Sequence, residues 1–295
     1  MSPQVSLIGL GGMGIALASA FLNEGYKTTV WNRSLAKAEP LTKKGAHLAS
    51  TPTECIQASQ LVIVCLLDSK AVNDILPKDS SVFLDRTIVN LTNGTPEEAR
   101  STFEIVTALG AKYVHGGIMA VPAIIGQPVA IILYSGSKDG FQLAEKHLAV
   151  LGTSKFLGVE PGSASLFDLA LLGGMYGLFS GAMHSVALAR SGTGDTTKTS
   201  ATEFITELFI PFISGIVAYL GHVAKQIDER DYATEGSNLA MQLIAIENIV
   251  KTSEVQGVST EMIKPIQDLL QQRVADGAGG DDISSIIELM TARKG

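Results

Sequence analysis

Apolar and polar positions follow two different periods along this chain, and the period changes once. In the first half, short β-branched runs (Gln4 to Ile8, Lys27 to Asn32, Leu61 to Leu66 and Thr87 to Leu91) alternate with stretches of helical spacing. Such alternation predicts a parallel sheet wound in right-handed βαβ units. Strand-like segments at Lys112 to Ile118 and Ala130 to Ser135, then a helix from Asp139 to Leu151, extend the sheet and close a first domain near residue 160. After Pro161-Gly162 the strand signals cease. Helical periods follow at Ser163 to Ser191, Thr199 to Ile227, Thr234 to Gln256 and Thr260 to Asp276, with Gly277-Ala278-Gly279-Gly280 as a loop before a short C-terminal helix. The expected architecture is α/β: a doubly wound, mostly parallel sheet over residues 1–161 and an all-helical domain over 162–295, joined by one long interdomain helix.

Immediately after the first strand comes Gly9-Leu10-Gly11-Gly12-Met13-Gly14, with helical spacing through Asn23. Between a strand and a helix, GxGxxG has a mechanism. Gly9 makes the tight turn, Gly11 lets backbone approach a pyrophosphate, and Gly14 lets the helix lie on the strand. This is the fingerprint of a Rossmann dinucleotide site, and Leu10, Gly12 and Met13 share the turn. The second strand ends in Trp31-Asn32-Arg33-Ser34, where an NAD site would place an acid for the ribose 2'-hydroxyl. Asn32, Arg33 and Ser34, with Lys37 a turn further on, offer donors instead, which suits the 2'-phosphate of NADP(H). Leu66 and Leu67, at the end of the strand from Leu61, are further expected cofactor contacts.

Charge and composition narrow the partners. A net charge of -7 over 295 residues, with Lys and Arg scattered, leaves no basic surface for nucleic acid. Cys55 and Cys65 form no metal knuckle or disulfide framework, and His47, His115, His147, His184 and His222 are too dispersed for a metal motif. No leader pattern precedes the first strand, so the expected location is the cytosol. The apolar stretch from Ala164 to Ala189 is long enough to span a bilayer, but Asp168 and His184 lie inside it and flanking cations are missing. It reads as a buried helix of a soluble oligomer, with no membrane partner. Gly173, Gly177 and Gly181, continued by Ser185 and Ala189, form a smooth stripe on it. Each interior glycine costs about 1 kcal/mol relative to Ala, so tight packing or a nearby ligand is expected to compensate, and a homodimer through these helices is expected.

Taken together these segments resemble the β-hydroxyacid dehydrogenase superfamily, and within it the imine reductases and fungal reductive aminases. The likeness covers nearly the whole chain. It rests on GLGGMG with WNRS, on Gly117-Ile118-Met119-Ala120-Val121-Pro122 through Tyr134-Ser135-Gly136, on Ser165-Leu166-Phe167-Asp168-Leu169-Ala170, and on Leu239-Ala240-Met241-Gln242. In the dehydrogenases a Lys six residues beyond the first Gly of a Gly-x-Gly turn handles the alcohol proton; six from Gly162 falls on Asp168. Their Ser-Gly-Gly carboxylate site is matched here by Met119, Ala120 and Val121. An anionic hydroxyacid is therefore disfavoured and a cationic iminium favoured. Opposite charges about 4 Å apart interact by roughly 4 kcal/mol at an effective dielectric near 20.

The resemblance implies catalytic roles for Asn93, Asp168 and Tyr176, a cofactor contact near the nicotinamide for Thr92 with Asn93, which take the place of the dehydrogenases' Ser-Thr pair, and an apolar pocket that the partner subunit's helices help to build. Met119, Phe209, Phe212, Met241 and Gln242 are the candidate pocket wall, although Met and Phe at helical spacing equally describe a plain core. Tyr176 equally reads as a core tyrosine, Asp168 as an acid on a helix dipole, and Asn93-Gly94 as a turn. The implied reaction is NADPH-dependent reduction of a C=N bond formed from a small carbonyl compound and an amine. A β-hydroxyacid or small-aldehyde dehydrogenase, and a non-catalytic NADPH-binding scaffold, are the competing readings.

Overall fold

The computed structural model describes residues 2–192 and 200–290. Eight strands, β1 (Gln4–Ile8), β2 (Lys27–Trp31), β3 (His47–Leu48), β4 (Leu61–Val64), β5 (Thr87–Asn90), β6 (Lys112–Met119), β7 (Ile131–Gly136) and β8 (Thr153–Phe156), form one sheet in the order β3-β2-β1-β4-β5-β6-β7-β8. Only the β6/β7 pair is antiparallel. Order reverses beside β1, so the C-terminal ends of β1 and β4 diverge there, the place where α/β sheets bind ligands.

Sequence alternation decides which helices cover which face. Val5, Leu7, Ile63 and Val89 point to one side, where they meet α1 (Gly12–Asn23) and α6 (Lys138–Leu148) through Leu17, Phe21, Phe141 and Leu148. Ile8, Val62, Val64 and Ile88 point to the other, against α3 (Pro52–Gln57), α4 (Ser69–Ile75) and α5 (Pro96–Ala108). A minor helix, α2 (Glu39–Thr42), precedes β3. The doubly wound sheet expected from the pattern is therefore present, and its near-continuous apolar strands are those of a sheet covered on both faces. Strands β3 and β8 are additions to the expectation. One is only two residues long, and the other, Thr-Ser-Lys-Phe, is a half-exposed edge strand with no apolar run to announce it.

Helix α7 (Ser163–Arg190) follows, and the chain separates into two compact units, Met1–Gly173 and Gly174–Gly295. The first turns of α7 thus pack with the sheet, whereas the sequence pattern drew the boundary at 161. In the second unit α8 (Ala201–Glu203), a π-helical turn (Phe204–Phe209) and α9 (Ile210–Glu229) run on as one apolar helical stretch. Thr199, the expected start of this helix, lies outside the described residues. Helix α10 (Leu239–Val255) begins five residues later than expected because Asn238 accepts the Met241 amide and caps it. Helix α11 (Lys264–Arg273) continues into a π-helical turn over Val274–Ala278 that is broken at Gly277, whose φ of +90° is non-helical, so the glycine run expected as a loop does interrupt the helix before α12 (Ile287–Met290).

The second unit has little interior of its own. Its buried apolar cluster consists of Leu239, Ile246 and Leu270. The stretch from Ala164 to Ala189, expected to be buried in an oligomer, is largely uncovered in the single chain: Leu171, Leu178, Phe179 and Met183 are exposed, and among the described residues nothing beyond the helix's own backbone comes within 4 Å of the Cβ positions of Gly173, Gly177 and Gly181. Among the described residues two helices, Ser163–Arg190 and Ala201–Glu229, are long and apolar enough to cross a membrane by length and composition alone.

Candidate active site

The glycine turn has the geometry its sequence requires. Gly9 has φ +101°, and a Cβ there would sit 2.1 Å from the Cys65 carbonyl oxygen. At Gly14 a Cβ would fall 1.9 Å from the Gly9 oxygen, so only glycine lets α1 start this close to β1. Around Gly11 and Gly12 the space is open, and α1 begins at Gly11 without a side-chain cap. An uncapped helix start beside open backbone is a ready anion site.

The Asn32 side chain is engaged within the turn itself. Its Oδ1 accepts the Leu10 amide at 2.9 Å, and its Nδ2 donates to the Ser34 carbonyl at 3.0 Å, so the side chain pins the end of β2 to the glycine turn. Arg33, Ser34 and Lys37 are exposed beside it. At the end of β4 the Leu66 amide donates to Thr92 Oγ1 at 3.0 Å, and Leu67 is 88% exposed. Thr92 is buried, and its amide donates to Asn90 Oδ1 at 3.0 Å. The ends of β4 and β5 are thus tied together, with Asn93 at the surface just beyond.

Asn93 Nδ2 donates to Asp168 Oδ2 at 2.8 Å, joining the loop after β5 to the second turn of α7. Asp168 is 5% exposed and makes no ion pair among the described residues. Burial raises its pKa above the ordinary carboxylate value, with the Asn93 amide opposing in part. A buried carboxyl with a neutral amide as partner and no fixed cation suits a cationic guest and proton exchange.

The helix reaches this position because β6 carries glycine where it passes. A Cβ on Gly117 would lie 2.8 Å from Asp168 Cβ. The start of α7 is fixed from two sides. Ser135 Oγ donates to the Pro161 carbonyl at 2.8 Å and accepts the Ala164 amide at 3.0 Å. Glu160, held by Arg100 at 2.7 Å, accepts the Gly162 amide and the Ser163 hydroxyl. Sequence reading missed this scaffold, including His115 and Ser165, because polar residues inside a strand and at a helix start carry no motif. The one available signal was His115-Gly116-Gly117, a polar residue and two glycines in an otherwise apolar central strand.

Other candidates are placed as follows. Met119 is half-buried at the end of β6. Tyr176 stands eight residues beyond Asp168 on α7, 63% exposed and in the second unit, so it is no core tyrosine within this chain. Phe209, Phe212, Met241 and Gln242 also belong to the second unit. Phe212 and Met241 are exposed, and the Gln242 amide donates to the Ser237 carbonyl.

Comparison with known proteins agrees with both halves. Residues 4–159 match the NAD binding domain of 6-phosphogluconate dehydrogenase, and residues 160–292 match the family described as NADPH-dependent reductive aminase-like, C-terminal domain. An NADPH-dependent reductive aminase of Aspergillus oryzae is 53% identical over 295 residues, covering 100% of this chain and 99% of its own. A reductive aminase from Aspergillus terreus, solved in complex with NADPH4, cyclohexanone and allyl amine, is 48% identical with a TM-score of 0.90, covering 99% of this chain and all of its own. An imine reductase from Pseudomonas sp. is 31% identical with a TM-score of 0.91 over the same shares. This chain belongs to the reductive aminase and imine reductase family of NADPH-dependent oxidoreductases.

Proposed function

We propose that this protein reduces the C=N bond of an imine, formed from a small carbonyl compound and an amine, with NADPH as the reductant. The observation that carries this reading is the Asp168 carboxyl: buried, unpaired with any cation among the described residues, and hydrogen-bonded to the neutral amide of Asn93. A lysine at that position would serve an alcohol; a carboxylate serves a cation. The competing hydroxyacid dehydrogenase reading lacks both the lysine and the carboxylate-binding serine and glycines. A scaffold role sits poorly with membership of a family of amine-forming enzymes.

The nucleotide fits the first unit. Its pyrophosphate would lie on the open backbone of Gly11 and Gly12 at the start of α1, with Leu10, Met13, Leu66 and Leu67 around it. Its 2'-phosphate would be held by Arg33, Ser34 and Lys37, with Asn32 shaping their turn. When bound, NADPH supplies the hydride. Asp168 stabilises the iminium and exchanges protons with the amine, Asn93 holds the carboxyl and presents its remaining N–H to substrate, and Tyr176 orients the substrate.

The homodimer belongs to the same reading. The exposed apolar faces of α7 and α9, the uncovered glycine stripe and the meagre core of the second unit all favour a second copy as the covering partner. Met119, Phe209, Phe212, Met241 and Gln242 would then line a pocket shared by the two subunits.

The test is NADPH consumption with a preformed cyclic imine, and separately with a ketone plus an equimolar amine. Both are expected to proceed, and Asp168→Asn is expected to bind NADPH normally while lowering turnover on the order of 100-fold or more. Parental turnover in Asp168→Asn would remove the basis for this assignment.

A further inference from the structure

A buried polar chain runs beneath the site from the other side of Asp168. Strand register sets Asn90 of β5 beside His115 of β6, and His115 opposite Ser135 of β7. Tyr113, two residues before His115, faces the same way. All four are buried. Asn90 Nδ2 donates to the Tyr113 hydroxyl at 2.9 Å, the hydroxyl lies 3.1 Å from His115 Nδ1, and His115 Nε2 lies 2.8 Å from Ser165 Oγ. Ser165 is three residues before Asp168 on α7, on the same side of the helix.

These bonds close a ring. From Asn93 it crosses to Asp168, passes one helical turn back to Ser165, goes through His115 and Tyr113 to Asn90, and returns along the end of β5 to Asn93. With the Asn90 amide donating to the phenol, the phenol proton points to His115 Nδ1, and Nε2–H donates to Ser165. That assignment needs a neutral imidazole, and burial pushes His115 down to about 4. Each member is satisfied by the next, so the chain holds the α7 turn at a fixed distance from the strand ends.

We propose that His115 is a positioning residue for the reaction: through Ser165 it fixes the turn of α7 that presents Asp168 to Asn93 and to the substrate. The inference rests on the role assigned to Asp168, and the experiment separates the two. Ser165→Ala, His115→Leu, His115→Gln and Asp168→Asn are compared, with Ser165→Ala also placed in the Asp168→Asn background. NADPH affinity and kcat on a preformed imine are measured.

Ser165→Ala and His115→Leu are expected to lower kcat about tenfold while leaving the Kd for NADPH within about twofold. His115→Gln, whose amide nitrogen can replace Nε2 as donor to Ser165, is expected to stay within about threefold of the parent. In the Asp168→Asn background Ser165→Ala is expected to cost less than about twofold, because its effect passes through the carboxylate. Parental kcat in Ser165→Ala, or losses that multiply with Asp168→Asn, would overturn the positioning role. A fast Asp168→Asn variant would overturn the role of Asp168 itself. Ser165→Ala removes one hydroxyl without disturbing the strand core, so it reads the link even if His115→Leu fails to fold.

Discussion

At the scale of single residues, two buried groups shift in directions that make separate predictions. Burial raises the pKa of Asp168 in the folded protein, so the folded state holds that proton more tightly than the unfolded chain. As pH rises through the ordinary carboxylate value, the unfolded chain releases its proton first and gains on the folded state. Ionised Asp168 therefore costs stability at neutral pH, and Asp168→Asn is expected to melt higher than the parent at pH 7, with the gap closing in acid. Thermal melts across pH 3–8 check this, and the same variant is the slow one in turnover. His115 moves the other way, from its usual 6.5 to about 4. Its contribution is present above 6.5 and is lost as pH falls towards 4, amounting to at most about 3 kcal/mol. His115→Gln is expected to flatten the acid limb of the stability curve over that window. Arg33 is a third case, exposed and next to a side chain already committed to the turn. Arg33→Ala is expected to weaken NADPH binding about 10- to 100-fold, the worth of a charge-assisted hydrogen bond, and to leave NADH nearly unaffected.

At the scale of elements, the site depends on how closely α7 crosses β6. The Gly117 Cα faces the Asp168 side chain, and even a methyl group there would stand 2.8 Å from Asp168 Cβ. Helix α7 would have to lift, although Ser135 and Glu160 anchor its start. Gly117→Ala is expected to preserve the fold and NADPH affinity but, given the role proposed for Asp168, to reduce kcat about tenfold or more, since a reacting group displaced by about an ångström or less suffices. Steady-state kinetics beside a cofactor titration separate these effects. The elements themselves were mostly legible. The strands from Gln4, Leu61, Thr87 and Ile131 were readable as apolar, β-branched runs bounded by turn residues, and those from Lys27 and Lys112 by the β-branched and aromatic residues they carry. What escaped was β8, whose Thr-Ser-Lys-Phe has no such run, and the late start of α10, which a capping asparagine decides.

At the scale of the whole molecule, the first unit has two substantial apolar clusters, one on each face of the sheet, while the second rests on Leu239, Ile246 and Leu270. A helical unit with so small an interior gains its stability by covering its exposed faces. On the proposed homodimer, Gly177→Leu, placed on the uncovered stripe, is expected to favour the monomer, lower Tm and reduce turnover together; light scattering in detergent-free buffer reads the first of these, and a monomeric parent would overturn the dimer.

The sequence alone determined the doubly wound sheet, the glycine turn and the missing acid after β2, because each is written in residues near one another along the chain; that Asp168 stands where related dehydrogenases carry lysine came from the resemblance. The tertiary structure decided the rest. It showed that Asn32 shapes a turn, that Asn93 reaches Asp168 across 75 positions, and that His115 and Ser165 close a ring beneath them. Those contacts depend on strand register and on the approach of α7 to β6, and no local periodicity encodes either of them.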